Sequence, residues 1–186
     1  MSIFGYKIRD KEGIHFITFA VMEWADVFTR IDYCTILIDS IRYCQKEKGL
    51  VLYAWCLMSN HIHMVVSAKN NDTSDILRDF KKFTSKRIFK AILEHRGESR
   101  KKWMLEIFRQ AGEKNSRNTN FQFWQQDNHP IQLVTPSFSR QKIDYIHNNP
   151  VKAGVVDKAE DYRYSSARDY AEGRQCGLIE VEFLLS

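Results

Sequence analysis

The sequence predicts an α+β fold: a ferredoxin-like βαββαβ sandwich with an antiparallel sheet and an added C-terminal helix that bears a tyrosine. Three observations predict it. Apolar, β-rich runs at 14–20, 50–57 and 61–67 are separated by stretches with helical spacing. Only Met58-Ser59-Asn60 separates the second run from the third, as in a hairpin. The order strand, helix, strand, strand, helix, strand, helix matches the split-βαβ pattern over its first six elements.

Residues 14–20, Ile-His-Phe-Ile-Thr-Phe-Ala, read as a buried strand. Residues 32–48 follow with helical spacing, in which Ile36, Ile41 and Tyr43 mix with Asp39, Arg42, Gln45 and Lys46, and Gly49 supplies a stop. Thr73-Ser74 is a good capping pair for a helix whose apolar stripe is Leu77, Phe80, Thr84, Ile88 and Ile92. Residues 94–102 are highly charged and should break the chain. A short helix is expected around 103–110, then a polar loop over 112–120. Residues 121–126 and 130–134 read as strand or extended chain. Thr135-Pro136 then caps a helix that runs to Asn149 and stops near Pro150.

A length of 186 residues suits one domain, with its core at about 10–155 and an extension over 156–186. The 44% hydrophobic and 27% charged content is that of a globular chain rather than a disordered one. No run approaches the roughly 20 apolar residues that span a bilayer, and the N-terminus lacks the pattern of a signal peptide. Cys34, Cys44, Cys56 and Cys176 show no C-x-x-C spacing and read as buried thiols of a reducing compartment, so a cytoplasmic location is expected. The net charge of +5 is localised: residues 74–120 hold 13 Lys/Arg against 6 Asp/Glu, and the remainder holds 15 against 17. One segment therefore carries the positive excess, which suits either a polyanion-facing surface or a solvated face.

His61 and His63 open the third run. Strand side chains alternate, so both imidazoles share one face and Ile62 takes the other. Two neutral imidazoles one pleat apart can grip one divalent cation. In the late helix, Tyr145 and Asn149 lie four apart and share a face. Docked against the sheet, that helix would bring a phenol and a carboxamide oxygen to the histidines. Such a set suits phosphodiester transesterification, with a Lewis-acid cation on the phosphate and the tyrosine as nucleophile. The bland readings are strand histidines satisfied by backbone or water, a core tyrosine beside Ile143 and Ile146, and an asparagine that merely ends a helix.

Four motifs resolve that choice. Met58-Ser-Asn-His-Ile-His-Met-Val-Val66, Phe123-Trp-Gln-Gln-Asp-Asn-His-Pro130, Asp144-Tyr-Ile-His-Asn-Asn-Pro-Val-Lys-Ala-Gly-Val155 and Tyr162-Arg-Tyr-Ser-Ser-Ala167 occur in order. Together they make the chain, over roughly residues 10–170, resemble the REP-associated tyrosine transposases. These belong to the single-strand (IS200-like) transposases of the His-hydrophobic-His (HUH) nuclease superfamily.

The resemblance implies an enzyme that cleaves and rejoins single-stranded DNA beside an imperfect palindromic hairpin, through a 5'-phosphotyrosine intermediate. It makes Tyr145 the nucleophile, and His61, His63 and Asn149 the ligands of Mg²⁺ or Mn²⁺. It also implies a monomer rather than a dimer. The basic stripe Arg78, Lys82, Lys86 and Lys90 becomes a DNA-backbone contact, and Arg100, Lys101, Lys102, Lys114 and Arg117 become further grips on the hairpin. Trp103 and Trp124 have the chemistry to stack on unpaired bases, against a default of core packing. Two rival readings keep the fold: a domesticated, non-catalytic hairpin-binding protein, and a metal-dependent hydrolase that uses water. Relatives carry a further histidine-rich strand where this chain has Gln126-Asp-Asn-His-Pro130, so His129 receives no catalytic role. Residues 171–186 match no motif.

Overall fold

The computed structural model describes residues 8, 10, 13–70, 73–115, 120–126 and 130–184. Its elements are β1 (His15–Ala20), α1 (Ile31–Lys48), β2 (Leu50–Leu57), β3 (His61–Ala68), α2 (Thr73–Glu94), α3 (Lys101–Glu113), β4 (Ile131–Gln132), α4 (Pro136–His147), α5 (Asn149–Lys152) and α6 (Ala167–Glu172). The sheet runs β2-β3-β1-β4, and every pairing is antiparallel. This is the expected βαββαβ sandwich, with α3 inserted before the last strand.

Side-chain alternation gives the sheet two different faces. Ile17 and Phe19 of β1 and Ile62, Met64 and Val66 of β3 enter the main core, which α1, α2 and α3 close with Leu37, Ile41, Phe80, Ile88 and Phe108. Phe16, Ala54, Cys56 and Val65 point to the other face, where Ile143 and Ile146 of α4 cover them. A bulge in β2 shifts the register between Leu52 and Ala54, so Trp55 and Leu57 still enter the main core. Strict alternation from Leu50 would have sent both of them to the α4 side.

Most boundaries agree with the sequence. Gly49 ends α1 with a φ of 73°, and its N–H reaches the Cys44 carbonyl. Thr135 accepts a hydrogen bond from the Phe138 amide, with proline in the first turn of α4. The whole stripe Leu77, Phe80, Thr84, Ile88 and Ile92 is buried.

Four expectations need correction. The helix that begins at Pro136 does not run to Asn149: α4 ends at His147, and Asn149 opens the separate α5, which contains Pro150 in its first turn. Residues 121–126 form no strand beyond a single bridge between Val21 and Trp124, because Phe123 and Trp124 are pulled into the core. Gly112 lets this segment cross α3, since a Cβ there would lie 2.5 Å from the Phe121 Cα. Tyr43 is exposed, and Tyr33, Leu37 and Ile38 carry the buried face of α1 in its place. Cys176 lies at the surface, whereas burial pushes the thiols of Cys34 and Cys44 up to about 11 and that of Cys56 to about 12.

The C-terminal segment, whose residues 171–186 match no motif, covers the outer edge of β2. The Glu182 amide donates to the Leu52 carbonyl, the Leu57 amide to the Tyr164 carbonyl, and Ile179 and Val181 join the main core. An edge strand is thereby masked without a fifth strand.

Between α2 and α3, Glu98 is buried and receives Arg100, Arg30 and the hydroxyl of Tyr33. Burial opposes its ionisation, but the two guanidinium groups more than offset this and hold the carboxyl down to about 2. A carboxyl depressed from its ordinary 4.5 stabilises the fold fully above that pH and loses its contribution as pH falls toward 2. Glu98→Gln should therefore cost about 2–3 kcal/mol at neutral pH, the arginines being partly screened. Urea unfolding across pH should show the gap to wild type closing below about pH 4.5.

Candidate active site

The site is built where the second sheet face meets α4. His61 and His63 lie on β3 with ring centres 4.6 Å apart, as the alternation requires. His63 is buried and His61 partly so. Burial disfavours the protonated form of both imidazoles: it lowers the pKa of His61, and, with repulsion from His61 when protonated and from Lys142, takes that of His63 down to about 3.

Each imidazole is also oriented. The Nδ1 of His61 lies 2.7 Å from Asn60 Oδ1, and the Asn60 amide donates to the Trp24 carbonyl and to Asp26. Asn60 Oδ1 is thus an acceptor, so His61 carries its proton on Nδ1 and keeps a lone pair on Nε2. His63 Nδ1 lies 2.7 Å from the hydroxyl of Thr18, its cross-strand partner on β1. Holding the far nitrogen by hydrogen bond is how ligating histidines are fixed. Neither Thr18 nor Asn60 was singled out in the sequence. Asn60 sits inside the hairpin motif, while Thr18 shows itself only through the β1–β3 register.

The opposite wall is α4. The Tyr145 ring lies 5.3 Å from that of His63 and 6.0 Å from Phe16, and the residue is 42% exposed. Asn148, with φ −83° and ψ −2°, separates α4 from α5, so Asn149 opens α5 four residues beyond Tyr145 rather than continuing the same helix. The ammonium groups of Lys142 and Lys152 lie 5.8 and 5.7 Å from the Tyr145 ring centre. They place two positive charges against the Tyr145 ring, of which the sequence held no sign.

The helix is held by a buried polar contact beside the apolar one. His147 Nε2 meets the Ser166 hydroxyl at 2.9 Å, and that hydroxyl also receives the Trp55 amide of β2 at 3.0 Å. Burial pushes the His147 imidazole down to about 4, against an opposing pull from Asp169. His147 is therefore a structural residue that seats α4.

The donor set on β3, two oriented imidazoles on one face, suits a divalent cation. Among the described residues no group of three or more His, Cys, Asp or Glu side chains could hold a metal.

The basic residues divide. Lys82 and Lys86 line a cleft of about 550 Å³ with Phe121 and Trp124. Arg78 pairs with Asp75 and Asp79, and Lys90 with Glu94, all at the surface. Arg100 is committed inside the protein, to Glu98 and to the Asp26 carbonyl. Lys101 and Lys102 open α3 and Lys114 ends it; Arg117, like His129, lies outside the described residues. Trp124 is buried and donates to Thr84, so it packs the core, while Trp103 is 51% exposed. No helix among the described residues is long and apolar enough to cross a membrane.

A family model described as IS200-like transposase matches residues 13–108, which include both histidines but neither Tyr145 nor Asn149. None of the curated proteins matches the chain. Among solved structures, the chain is similar to a REP-associated tyrosine transposase bound to a REP hairpin. The identity is 19% and the TM-score 0.63, over 100% of this chain and 94% of that one. A candidate transposase from Deinococcus radiodurans R1 is 18% identical, with a TM-score of 0.45 over 80% of this chain and 96% of that one.

If Ser166 seats α4, Ser166→Ala leaves the Trp55 amide and His147 without their partner. The variant should lose about 1–3 kcal/mol, measurable as a lower melting temperature, while Ser166→Thr should retain most of the stability.

Proposed function

We propose a reaction that starts from the family: the chain belongs to the IS200-like transposases, whose model covers more than half of it. The reaction is cleavage and rejoining of single-stranded DNA beside an imperfect palindromic hairpin, in the manner of the REP-associated members. The observation that carries this reading is the placement of the Tyr145 ring 5.3 Å from His63, on a helix that belongs to a different part of the chain.

Tyr145 Oη attacks the scissile phosphorus. A phosphorus–phenol oxygen bond forms, the bond to the 3'-oxygen breaks, and that oxygen leaves with a proton as the phenol gives one up. The 5'-phosphate remains on Tyr145, and the 3'-hydroxyl of a second strand reverses the step to join the ends. The phosphotyrosine keeps the bond's energy, so rejoining needs no nucleotide cofactor. Mg²⁺ or Mn²⁺, held by His61, His63 and Asn149, would supply Lewis acidity toward the phosphate. Lys142 and Lys152 attract the phosphate and offset its charge as it meets the phenol. Lys82 and Lys86, with Lys101, Lys102 and Lys114, contact the DNA backbone, which makes binding steeply salt-dependent.

A labelled hairpin oligonucleotide with single-stranded flanks, incubated with Mg²⁺, tests the reading. A covalent protein–DNA band should form with wild type and vanish in Tyr145→Phe, while binding persists. Binding without any adduct across a broad set of hairpins would favour the non-catalytic alternative. Cleavage without an adduct would favour hydrolysis by water.

The histidine half is tested separately. Thr18→Val removes the hydroxyl that orients His63 and should weaken Mn²⁺ affinity about 10–100-fold by calorimetric titration. His63→Ala should abolish the binding.

A further inference from the structure

Glu23 and Trp24 are the two non-glycine residues with positive φ among the described residues, at 50° and 53°. An L-residue holds this conformation only where its surroundings enforce it, and such residues cluster at functional sites. Here the surroundings are explicit. The Met22 amide donates to the Phe123 carbonyl, the Trp24 amide to Val21, the Ala25 amide to Met22, and Asn60 holds the Trp24 carbonyl. The outcome is an indole ring 5.6 Å from the His61 ring, at 79° to it, in a residue left 54% exposed. A strained backbone that presents a large aromatic to solvent beside a candidate metal ligand has no packing rationale.

Beside Trp24 lies an open cleft of about 810 Å³, rich in carboxamides. Gln122 is used internally, its amide donating to the Trp124 carbonyl and its oxygen accepting from Asn115. Gln125 donates to the Val21 carbonyl and keeps its side-chain oxygen as an acceptor. Gln126 lines the cleft with an exposed carboxamide. This cleft shares Gln122 and Gln126 with the cleft of Lys82 and Lys86. An aromatic platform, a carboxamide wall and a cationic groove side by side match one ligand class: the base, its hydrogen-bonding edge and the phosphates of an unpaired nucleotide.

We propose that Trp24 and the carboxamide cleft form a nucleobase subsite, which stacks one unpaired base of the substrate strand next to the scissile phosphate and reads its edge with Gln125 and Gln126. The subsite rests on the single-strand DNA reading above and deepens it. Trp24 acts as a positioning and specificity residue, because it holds the base and leaves the chemistry to Tyr145.

The test uses the full chain carrying Tyr145→Phe, so that no adduct forms, with hairpin oligonucleotides bearing 2-aminopurine at each flanking position in turn. Fluorescence should be quenched on binding at one or two adjacent positions. Adding Trp24→Ala should abolish the quench and weaken binding about 5- to 100-fold, and Trp24→Phe should restore most of both. Trp24→Gly, which suits the left-handed backbone, should match or exceed the parent's melting temperature yet still lose the quench. Equal quenching at every position, or a quench unchanged in Trp24→Ala, would overturn the subsite. A wild-type chain with Trp24-dependent quenching but no Tyr145 adduct would remove the strand-transfer reading alone. Failure to bind any hairpin strand would remove both.

Discussion

The docking of α4 on the second face of the sheet is the contact on which the site depends. A βαββαβ sandwich covers one sheet face with its own two helices and leaves the other bare. Here Ile143 and Ile146 settle on Ala54, Cys56 and Val65, at about 1.5–3 kcal/mol for each large side chain fully buried. The same contact sets the Tyr145 ring against His63. Stability and geometry thus share one surface, and a change that lifts α4 would disassemble the site before the main core gives way. The C-terminal segment resists that motion. Ser166 ties His147 to the Trp55 backbone, and Tyr170 packs on His147 and donates to the Tyr53 carbonyl.

The histidine half is held by a different device. From buried Glu98 a polar chain runs through Arg100 to the Asp26 carbonyl, from the Asp26 carboxylate to Ser59 and Asn60, and from Asn60 to His61. Magnitude separates this chain from the other ion pairs. Arg78 with Asp75 and Lys90 with Glu94 are exposed, and such pairs contribute about 0–1 kcal/mol each. Glu98 has no exposed side-chain surface, so losing its partners would leave a buried charge uncompensated. The basic segment that reads as uniform in the sequence therefore has two parts: Arg100 works inside the protein, and Lys82 and Lys86 line a cleft.

What the sequence made legible follows from the range of each signal. Alternation placed His61 and His63 on one face because it is a local periodicity, whereas helical spacing from Tyr145 to Asn149 did not foresee the break at Asn148 that divides α4 from α5. Gly49 and Thr135-Pro136 were legible because their signals are local too. The β2 bulge was not, since one inserted residue resets the alternation without any composition signal of its own. Residues 121–126 read as strand from their aromatics, but Phe123 and Trp124 gained more by entering the core than by extending the sheet. Thr18, Ser166 and Lys142 were missed because their roles exist only after strands pair and α4 docks. Trp24 was missed because backbone strain leaves no trace in periodicity.

The two halves of the site thus have different anchors, one in the β1–β3 ladder and the Glu98 chain, the other in the apolar docking of α4 and the His147–Ser166 contact. On the proposed reaction, separate anchoring creates a registration problem, since a phosphate would have to meet the phenol and the histidines at once. Asn60 stands at the point where this is solved on the histidine side. One carboxamide orients His61 through its oxygen and holds the Trp24 carbonyl through its nitrogen. The imidazole and the backbone that carries the indole are therefore held by the same side chain. On the other side, Lys142 spans Phe16 of the sheet and Tyr145 of the helix, 5.0 and 5.8 Å from their ring centres. On the proposed reading, a strand lying between Trp24 and Tyr145 would touch both halves and add its own contacts to those that Lys142 already makes across them.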